Sequence, residues 1–208
     1  MVEMKLRGVG RSEVDVSPDS QSDARIIEAS KSDPTRFGVL FERYGDLLYR
    51  YAHRRVGPDL AEDVVADTFE AAFRVRGRYD SAYPVARPWL FGILTRELAS
   101  RHRQESARFR AMSRLDAEPV APQADGSEQV IDQEVARAAR GRLAAALAAL
   151  PSRYREVLLL VTWAECSYEE AAQALGLPIG TVRSRLNRAR SQVKAALGGT
   201  NPLHAGEL

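Results

Sequence analysis

Cysteine and histidine are scarce in this sequence of 208 residues. Cys166 is the single cysteine, so no intramolecular disulfide can form. His53, His102 and His204 are far apart along the chain, and no Cys/His spacing typical of a zinc site occurs. There is also no nucleophile paired with a base and no phosphate-binding loop. The sequence therefore predicts no metal, no cofactor, no small-molecule substrate and no enzymatic activity.

Long apolar runs are missing as well. No stretch approaches the ~20 apolar residues that a membrane-spanning helix needs. The N-terminus lacks the apolar core of roughly 7 to 15 residues that marks a secretory signal. We expect a cytoplasmic protein without membrane insertion.

The charged fraction is high at 28%, but the two signs almost cancel. Lys and Arg number 30 and Asp and Glu number 28, which gives a formal net charge of +2. A strong electrostatic field must therefore come from local segregation of the charges, not from the net charge.

Apolar residues recur at helical spacing in several segments, and no strand pattern stands out. In residues 34–55 they return at steps of three and four, and Gly57 ends that helix. A second helix follows Asp59, which with Glu62 matches a capping box. A third helix is predicted over residues 89–110. The fold class expected is all-α.

Changes in composition divide the chain into two small helical domains. Residues 1–22 are polar without an apolar period and predict a disordered leader, and residues 116–130 gain Pro, Gly, Asp and Glu and predict a flexible linker. The N-terminal domain is then expected at 23–115 and the C-terminal domain at 131–197. A tail follows at 198–208.

The clearest segregation of charge lies in residues 176–194, GLPIGTVRSRLNRARSQVK. This segment holds five basic residues, and no acid occurs from residue 171 to residue 206. A short helix precedes it, opened by the capping-box pair Ser167 and Glu170 and ended by Gly176. Two helices across such a turn form a helix-turn-helix, whose second helix lies in a DNA major groove. A solvated basic face is the alternative, and the helix-turn-helix setting favours DNA.

A helical wheel separates two sides of this segment. The apolar seam consists of Val182, Leu186, Ala189 and Val193. Ser184 and Arg188 lie opposite the seam, and arginine can bond guanine bidentately while serine adapts to several bases. Flanking arginines suit phosphates, and so do the amides of the first turn, which are predicted to be unpaired and include those of Gly180 and Thr181. The residues expected at the DNA backbone are Gly180, Thr181, Arg185 and Arg190.

An ordered set of motifs also resembles a known family. LPIGTVRSRLNRAR, preceded by LAALPSRYREVLLL and CSYEEAAQALG, resembles the C-terminal promoter-binding domain of bacterial sigma factors of the extracytoplasmic-function group. AEDVVADTFEAAFR and WLFGILTRELASRHR resemble that family's N-terminal domain. The motifs cover most of residues 23–197. The resemblance implies an alternative sigma factor that binds core RNA polymerase, recognises a bipartite promoter, assists DNA melting and initiates transcription.

The resemblance also implies roles for individual residues. It aligns the family's readers of the minus-thirty-five element with Arg183, Ser184 and Arg188. It places the acidic helix resembling residues 59–74 on the clamp coiled coil of the largest polymerase subunit, although a solvated acidic face is the alternative there. The candidate clamp contacts are Glu62, Asp63, Asp67 and Glu70, with Val64 and Val65 added if either is exposed.

Residues 78–103 resemble the family's element for the minus-ten sequence, where a base is flipped out and the duplex opens. Opening needs aromatic or apolar surfaces for unstacked bases and cations for the phosphates of the single strand. Suitable side chains are Arg78, Tyr79, Tyr83, Arg96, Ser100, Arg101 and Arg103. Many relatives have asparagine in place of Arg96 and glutamine in place of Ala66, so the resemblance specifies neither the flipped base nor a clamp contact at residue 66.

Two other functions fit parts of the same pattern. A free-standing helix-turn-helix regulator needs no polymerase but should dimerise on a palindrome. A sigma-like protein could instead occupy polymerase or an antagonist without opening promoters. The short tail after Leu197 favours control in trans, so an anti-sigma factor is an expected partner. The sequence specifies neither the promoter consensus nor the inducing signal.

Overall fold

The computed structural model describes residues 21–101, 108–112, 114 and 128–198, with only the backbone described over 128–137. The predicted leader up to residue 20, the linker up to residue 127 and the tail from residue 199 fall outside these ranges. Arg103 falls outside them too. No strand occurs among the described residues, and the predicted all-α fold is confirmed.

Between residues 21 and 101, all of which are described, the N-terminal half contains four α-helices and two 3₁₀ turns. In chain order these are α1 (Asp23–Ala29), a 3₁₀ turn (Pro34–Phe37), α2 (Gly38–Val56), α3 (Pro58–Val75), a 3₁₀ turn (Arg76–Arg78) and α4 (Arg87–Ser100). Gly57 separates α2 from α3 at φ +90°, a conformation that favours glycine. The capping box predicted at Asp59 is wrong, because α3 already begins at Pro58 and no side chain caps it.

The described C-terminal half contains four more helices. They are α5 (Glu128–Ala149), α6 (Ser152–Thr162), α7 (Tyr168–Leu175) and α8 (Ile179–Ala196). The capping box of α7 is confirmed: the Glu170 amide donates to Ser167 Oγ at 3.1 Å, and the Ser167 amide donates to Glu170 Oε2 at 2.8 Å. Gly176 ends α7 in the left-handed conformation that glycine adopts without strain.

Two predicted boundaries differ from the structure. The helix expected over residues 89–110 ends at Ser100, where the Arg101 amide turns back to the Leu98 carbonyl at 3.0 Å. Residues 102–107 fall outside the described ranges, and residues 108–112 are helical. Helix α5 begins at Glu128, so the last residues of the segment predicted as linker, 116–130, are helical.

The apolar stripes of the helices meet in one continuous core. Leu40 of α2, Val64 of α3 and Leu90 of α4 are completely buried in the N-terminal half, and Leu160 of α6 and Val182 of α8 are completely buried in the C-terminal half. Burial of each such side chain contributes roughly 1.5 to 3 kcal/mol. None of the described helices combines the length and the apolar character required to cross a bilayer.

Candidate nucleic-acid interface

Helix α8 presents one buried side and one basic side. Val182, Leu186 and Ala189 of the predicted seam are buried, and Val193 is half-buried against the same core. The side opposite the seam is exposed, and its members include Arg183, Ser184, Asn187, Arg188 and Arg190. Arg185 is half-buried. Among the described residues no acid forms an ion pair with an arginine of α8, so this side of the helix carries a local excess of positive charge.

The first turn of α8 is only partly available to a phosphate. The Thr181 amide donates to the Pro178 carbonyl at 2.9 Å, so the prediction that it is unpaired is wrong. The Thr181 carbonyl accepts a bond from Ser184 Oγ at 3.0 Å. Gly180 is exposed, and even a Cβ there would have no neighbour within 4 Å, so a DNA backbone could approach closely.

Arg188 is the one predicted base reader that the structure ties to another helix. Its Nη1 lies 3.4 Å from the hydroxyl of Tyr154 on α6. The Arg188 guanidinium and the neighbouring Arg153 lower the pKa of the Tyr154 phenol. The contact orients a side chain that is still exposed to solvent, so the Arg188 guanidinium can also donate to a base edge.

The acidic side of α3 is exposed over most of its length. Glu62, Asp63 and Glu70 face solvent, whereas Val64 and Val65 are buried and are not available for a contact with a partner. Asp67 is half-buried because its carboxylate accepts a bond from Arg101 Nη2 at 2.5 Å. Asp67 was predicted for the clamp contact and Arg101 for the minus-ten contact, and the structure pairs these two residues with each other.

The loop before α4 and the end of α4 hold the residues predicted for the minus-ten element. Arg78, Tyr83, Arg96 and Ser100 are exposed. Tyr79 is only 8% exposed, packs edge-on against Trp89 with ring centroids 5.0 Å apart, and donates its hydroxyl to the Tyr83 carbonyl at 2.7 Å. Its predicted role as a surface for unstacked bases is therefore contradicted, because the ring supports the loop from inside.

Asp23 is a residue of this region that the sequence patterns did not single out. Its carboxylate is 3% exposed and accepts bonds from Arg43 Nη1 at 2.6 Å, from the Tyr44 hydroxyl at 2.5 Å and from the Ala86 amide at 2.7 Å. Burial and the bond to Asp23 raise the pKa of Tyr44. The cluster fastens the loop before α4 to α1 and α2. The sequence could not predict this role of Asp23, because its partner Ala86 lies 63 positions away along the chain.

Cys166 lies in the turn before α7 and is 4% exposed. Burial raises the pKa of its thiol to about 11, so the reactive thiolate is rare at neutral pH. We expect the folded protein to resist a thiol-specific chromogenic reagent at pH 8 and to react stoichiometrically once urea unfolds it. Fast reaction of the native protein would contradict this burial and would make a redox role for Cys166 worth pursuing.

Comparison with known proteins places both halves in one family. The model of sigma-70 region 2 matches residues 40–108, and the model of sigma-70 region 4 matches residues 140–193. RNA polymerase sigma factor CnrH of Cupriavidus metallidurans is 32% identical over 189 residues, which are 88% of this chain and 97% of CnrH. ECF RNA polymerase sigma factor SigL of Mycobacterium tuberculosis is 34% identical over 180 residues, 84% of this chain and 96% of SigL. The chain is an extracytoplasmic-function sigma factor.

Solved structures of other sigma factors are similar to this one. CnrH in complex with the cytosolic domain of CnrY aligns with a TM-score of 0.57 and 26% identity, over 86% of this chain and 99% of CnrH. RpoE of Bartonella quintana in complex with the anti-sigma factor NepR aligns with a TM-score of 0.50 and 26% identity, over 78% of this chain and 98% of RpoE. As a sigma factor the chain is a transcription initiation factor, and α7 and α8 are the DNA-binding helix-turn-helix of its region 4.

Proposed function

We propose that this sigma factor binds core RNA polymerase, recognises a promoter with two separate elements, assists in melting the DNA and starts transcription. Helix α8 reads the minus-thirty-five element. The loop before α4 and the exposed end of α4 engage the minus-ten element. The exposed acids of α3 contact the polymerase clamp. The protein acts in the cytoplasm.

The proposal is supported by two exposed basic surfaces of different character on one chain. The basic side of α8 offers donors for base edges in a duplex. The end of α4 and its preceding loop combine exposed Arg78, Arg96 and Tyr83, which suit single-stranded phosphates and an unstacked base. A free-standing regulator requires only the first surface, so the second one favours the sigma function.

An anti-sigma factor is the regulatory partner that we propose. The similar RpoE structure contains the anti-sigma factor NepR. The similar CnrH structure contains the cytosolic domain of CnrY. Both neighbours are therefore bound by another protein, which supports a partner of the same class for this chain.

Footprinting of polymerase bound to the chain's own promoters, with DNase I for protection and permanganate for unpaired thymines, tests the two finer parts of the proposal. Promoters are first located by sequencing the transcripts that overexpression induces. We expect protection over two elements and permanganate-reactive thymines near the downstream one. Protection of a single palindrome without polymerase and without reactive thymines would support the free-standing regulator instead.

Replacing Arg188 by alanine should relax the sequence preference at one or two positions of the minus-thirty-five element. The expected loss of discrimination is ~1 to 3 kcal/mol, the usual effect of removing a bidentate contact to a base. Arg190→Ala is the matched control on the same helix. It should weaken binding to all promoter variants uniformly and should reduce the slope of log affinity against log salt concentration by about one. Competition binding with every single-base variant of the element measures the sequence preference of both variant proteins. Uniform weakening by Arg188→Ala would show that this arginine contacts phosphate.

A further inference from the structure

A tyrosine that lies outside the helix-turn-helix touches the basic side of α8. Tyr154 is in the first turn of α6, where its amide donates to the Pro151 carbonyl at 2.9 Å. Helix α6 packs on α8, and the Tyr154 side chain is part of the buried core with 7% of its surface exposed. Its hydroxyl lies 3.4 Å from Arg188 Nη1 on α8. A buried ring therefore places a polar atom at a defined position beside an exposed arginine.

The guanidinium of Arg153 covers the Tyr154 ring. Arg153 Cζ lies 4.7 Å from the ring centroid, a distance at which the π-system attracts a cation. Hydrogen bonding from Arg188, and next from Arg153, lowers the pKa of the Tyr154 phenol. Core packing and the Arg153 cation together fix the ring, so the position of its hydroxyl does not depend on DNA.

Arg188 differs in this respect from the other exposed arginines of α8. Within the described ranges, Arg183 and Arg190 have no hydrogen bond to another helix. A long side chain must lose rotamer freedom when it is ordered at an interface, and this loss weakens binding. The bond to Tyr154 restricts Arg188 before DNA arrives. It uses one of the five N–H donors of the guanidinium, so two parallel donors remain for a guanine.

We propose that Tyr154 is a positioning residue for promoter recognition, because its hydroxyl holds the Arg188 guanidinium in the orientation that reads a base. A residue that sets part of the sequence preference then lies on α6, before the helix-turn-helix begins. Tyr154 acts through Arg188 and not by a contact of its own with DNA. The inference rests on the proposed reading of the minus-thirty-five element by α8.

Tyr154→Phe is the variant that tests this role. It keeps the buried ring and removes only the hydroxyl, so the core packing and the Arg153 contact remain. In polymerase assembled with the full chain, it should reduce discrimination at the base position that Arg188 reads by about two- to tenfold, the usual effect of having to order one long side chain. The salt dependence of binding should not change, because no phosphate contact is lost. Competition binding with single-base variants of the element, repeated at several salt concentrations, measures both quantities.

A double-mutant cycle separates positioning from a general structural role. In an Arg188→Ala chain, Tyr154→Phe should cause no further loss of base preference, because the side chain on which the hydroxyl acts is gone. In an Arg183→Ala chain, Tyr154→Phe should still cause its full loss. Arg153→Ala is the matched control, since it removes the other guanidinium beside the phenol and should leave the preference at this base position unchanged.

Nuclear magnetic resonance relaxation of the arginine Nε–H groups tests the same contact without DNA. In the free full-length chain, we expect a higher order parameter for Arg188 than for Arg183 and Arg190, because only Arg188 is held by another helix. Tyr154→Phe should lower the Arg188 value to that of the other two arginines. The measurement does not depend on promoter binding, so it reports on the contact alone.

Three outcomes would overturn the proposal. One is a folded Tyr154→Phe chain that keeps the native base preference while Arg188→Ala loses it. Another is an equal loss with and without Arg188, which would make Tyr154 a purely structural residue. The third is an Arg188 order parameter in the native chain that is no higher than that of Arg183.

Failure of the proposed function gives a different result. The native chain would then show no base preference in the minus-thirty-five element, although the Arg188 order parameter still falls in Tyr154→Phe. That result would remove base reading from α8 and, with it, any role of Tyr154 in specificity.

Discussion

Replacing Glu62 and Asp63 by lysine should weaken binding of the sigma factor to core polymerase by on the order of 100-fold. Both side chains are exposed on α3, so the double variant keeps the buried stripe of the helix and should fold. In the proposed clamp contact each reversal would turn an attraction into a repulsion, and like charges across an interface cost several kcal/mol. Asp67 is left in place because it pairs with Arg101 inside the chain.

The matched control is Glu42→Lys with Asp46→Lys, two exposed acids on α2. It changes the net charge by the same amount, so a general loss of electrostatic attraction would affect both variants alike. Fluorescence anisotropy of labelled protein with purified core polymerase measures the dissociation constants. Equal affinities for the α3 variant and the native chain would rule out the clamp assignment and leave the acidic side of α3 as a solvated face.

Replacing Asp23 by alanine should cause a large loss of stability. The change leaves the Arg43 guanidinium, the Tyr44 hydroxyl and the Ala86 amide without their shared acceptor in a site that is almost closed to water. Breaking one side of a buried charged network costs about 3 to 5 kcal/mol. At roughly 2 to 4 °C per kcal/mol for a chain of this size, the melting temperature should fall by about 10 °C.

Thermal unfolding followed by circular dichroism measures this effect. Asp33→Ala is a useful control, because Asp33 also accepts two hydrogen bonds, from the amide and the hydroxyl of Thr35, but is exposed. It should shift the melting temperature much less. Asp23→Ala should also reduce permanganate reactivity of the promoter, since the loop before α4 loses its anchor. A melting temperature of Asp23→Ala within about 2 °C of the native value would show that the Asp23 carboxylate does not stabilise this cluster.

Local patterns in the sequence predicted most of the helices and the buried side of α8. The seam of Val182, Leu186 and Ala189 follows from the period of 3.6 residues alone, and the capping box at Ser167 needs only four consecutive residues. Gly57 and Gly176 ended their helices as expected because both adopt positive φ. These features depend only on residues that are close together in the sequence, so they can be predicted from it.

Contacts between distant segments could not be predicted in this way. The sequence assigned Tyr79 to base stacking. Its burial depends on contacts with Trp89 and with the folded loop, and no local pattern shows these contacts. Arg101 and Asp67 were assigned to different partners, since nothing local shows that α3 and the end of α4 bring them together. The pairing of Arg55 with Glu156 spans 101 positions, and it depends on how the two halves pack.

Promoter-specific run-off transcription with purified core polymerase tests the central claim most directly. The templates are promoters mapped from transcripts induced by overexpression, together with versions in which either element is scrambled. We predict a transcript of defined length that requires the added sigma factor and that disappears when either element is scrambled. If the polymerase is active with another sigma factor but yields no promoter-specific transcript with this chain under any buffer condition, the account of a promoter-opening sigma factor is wrong.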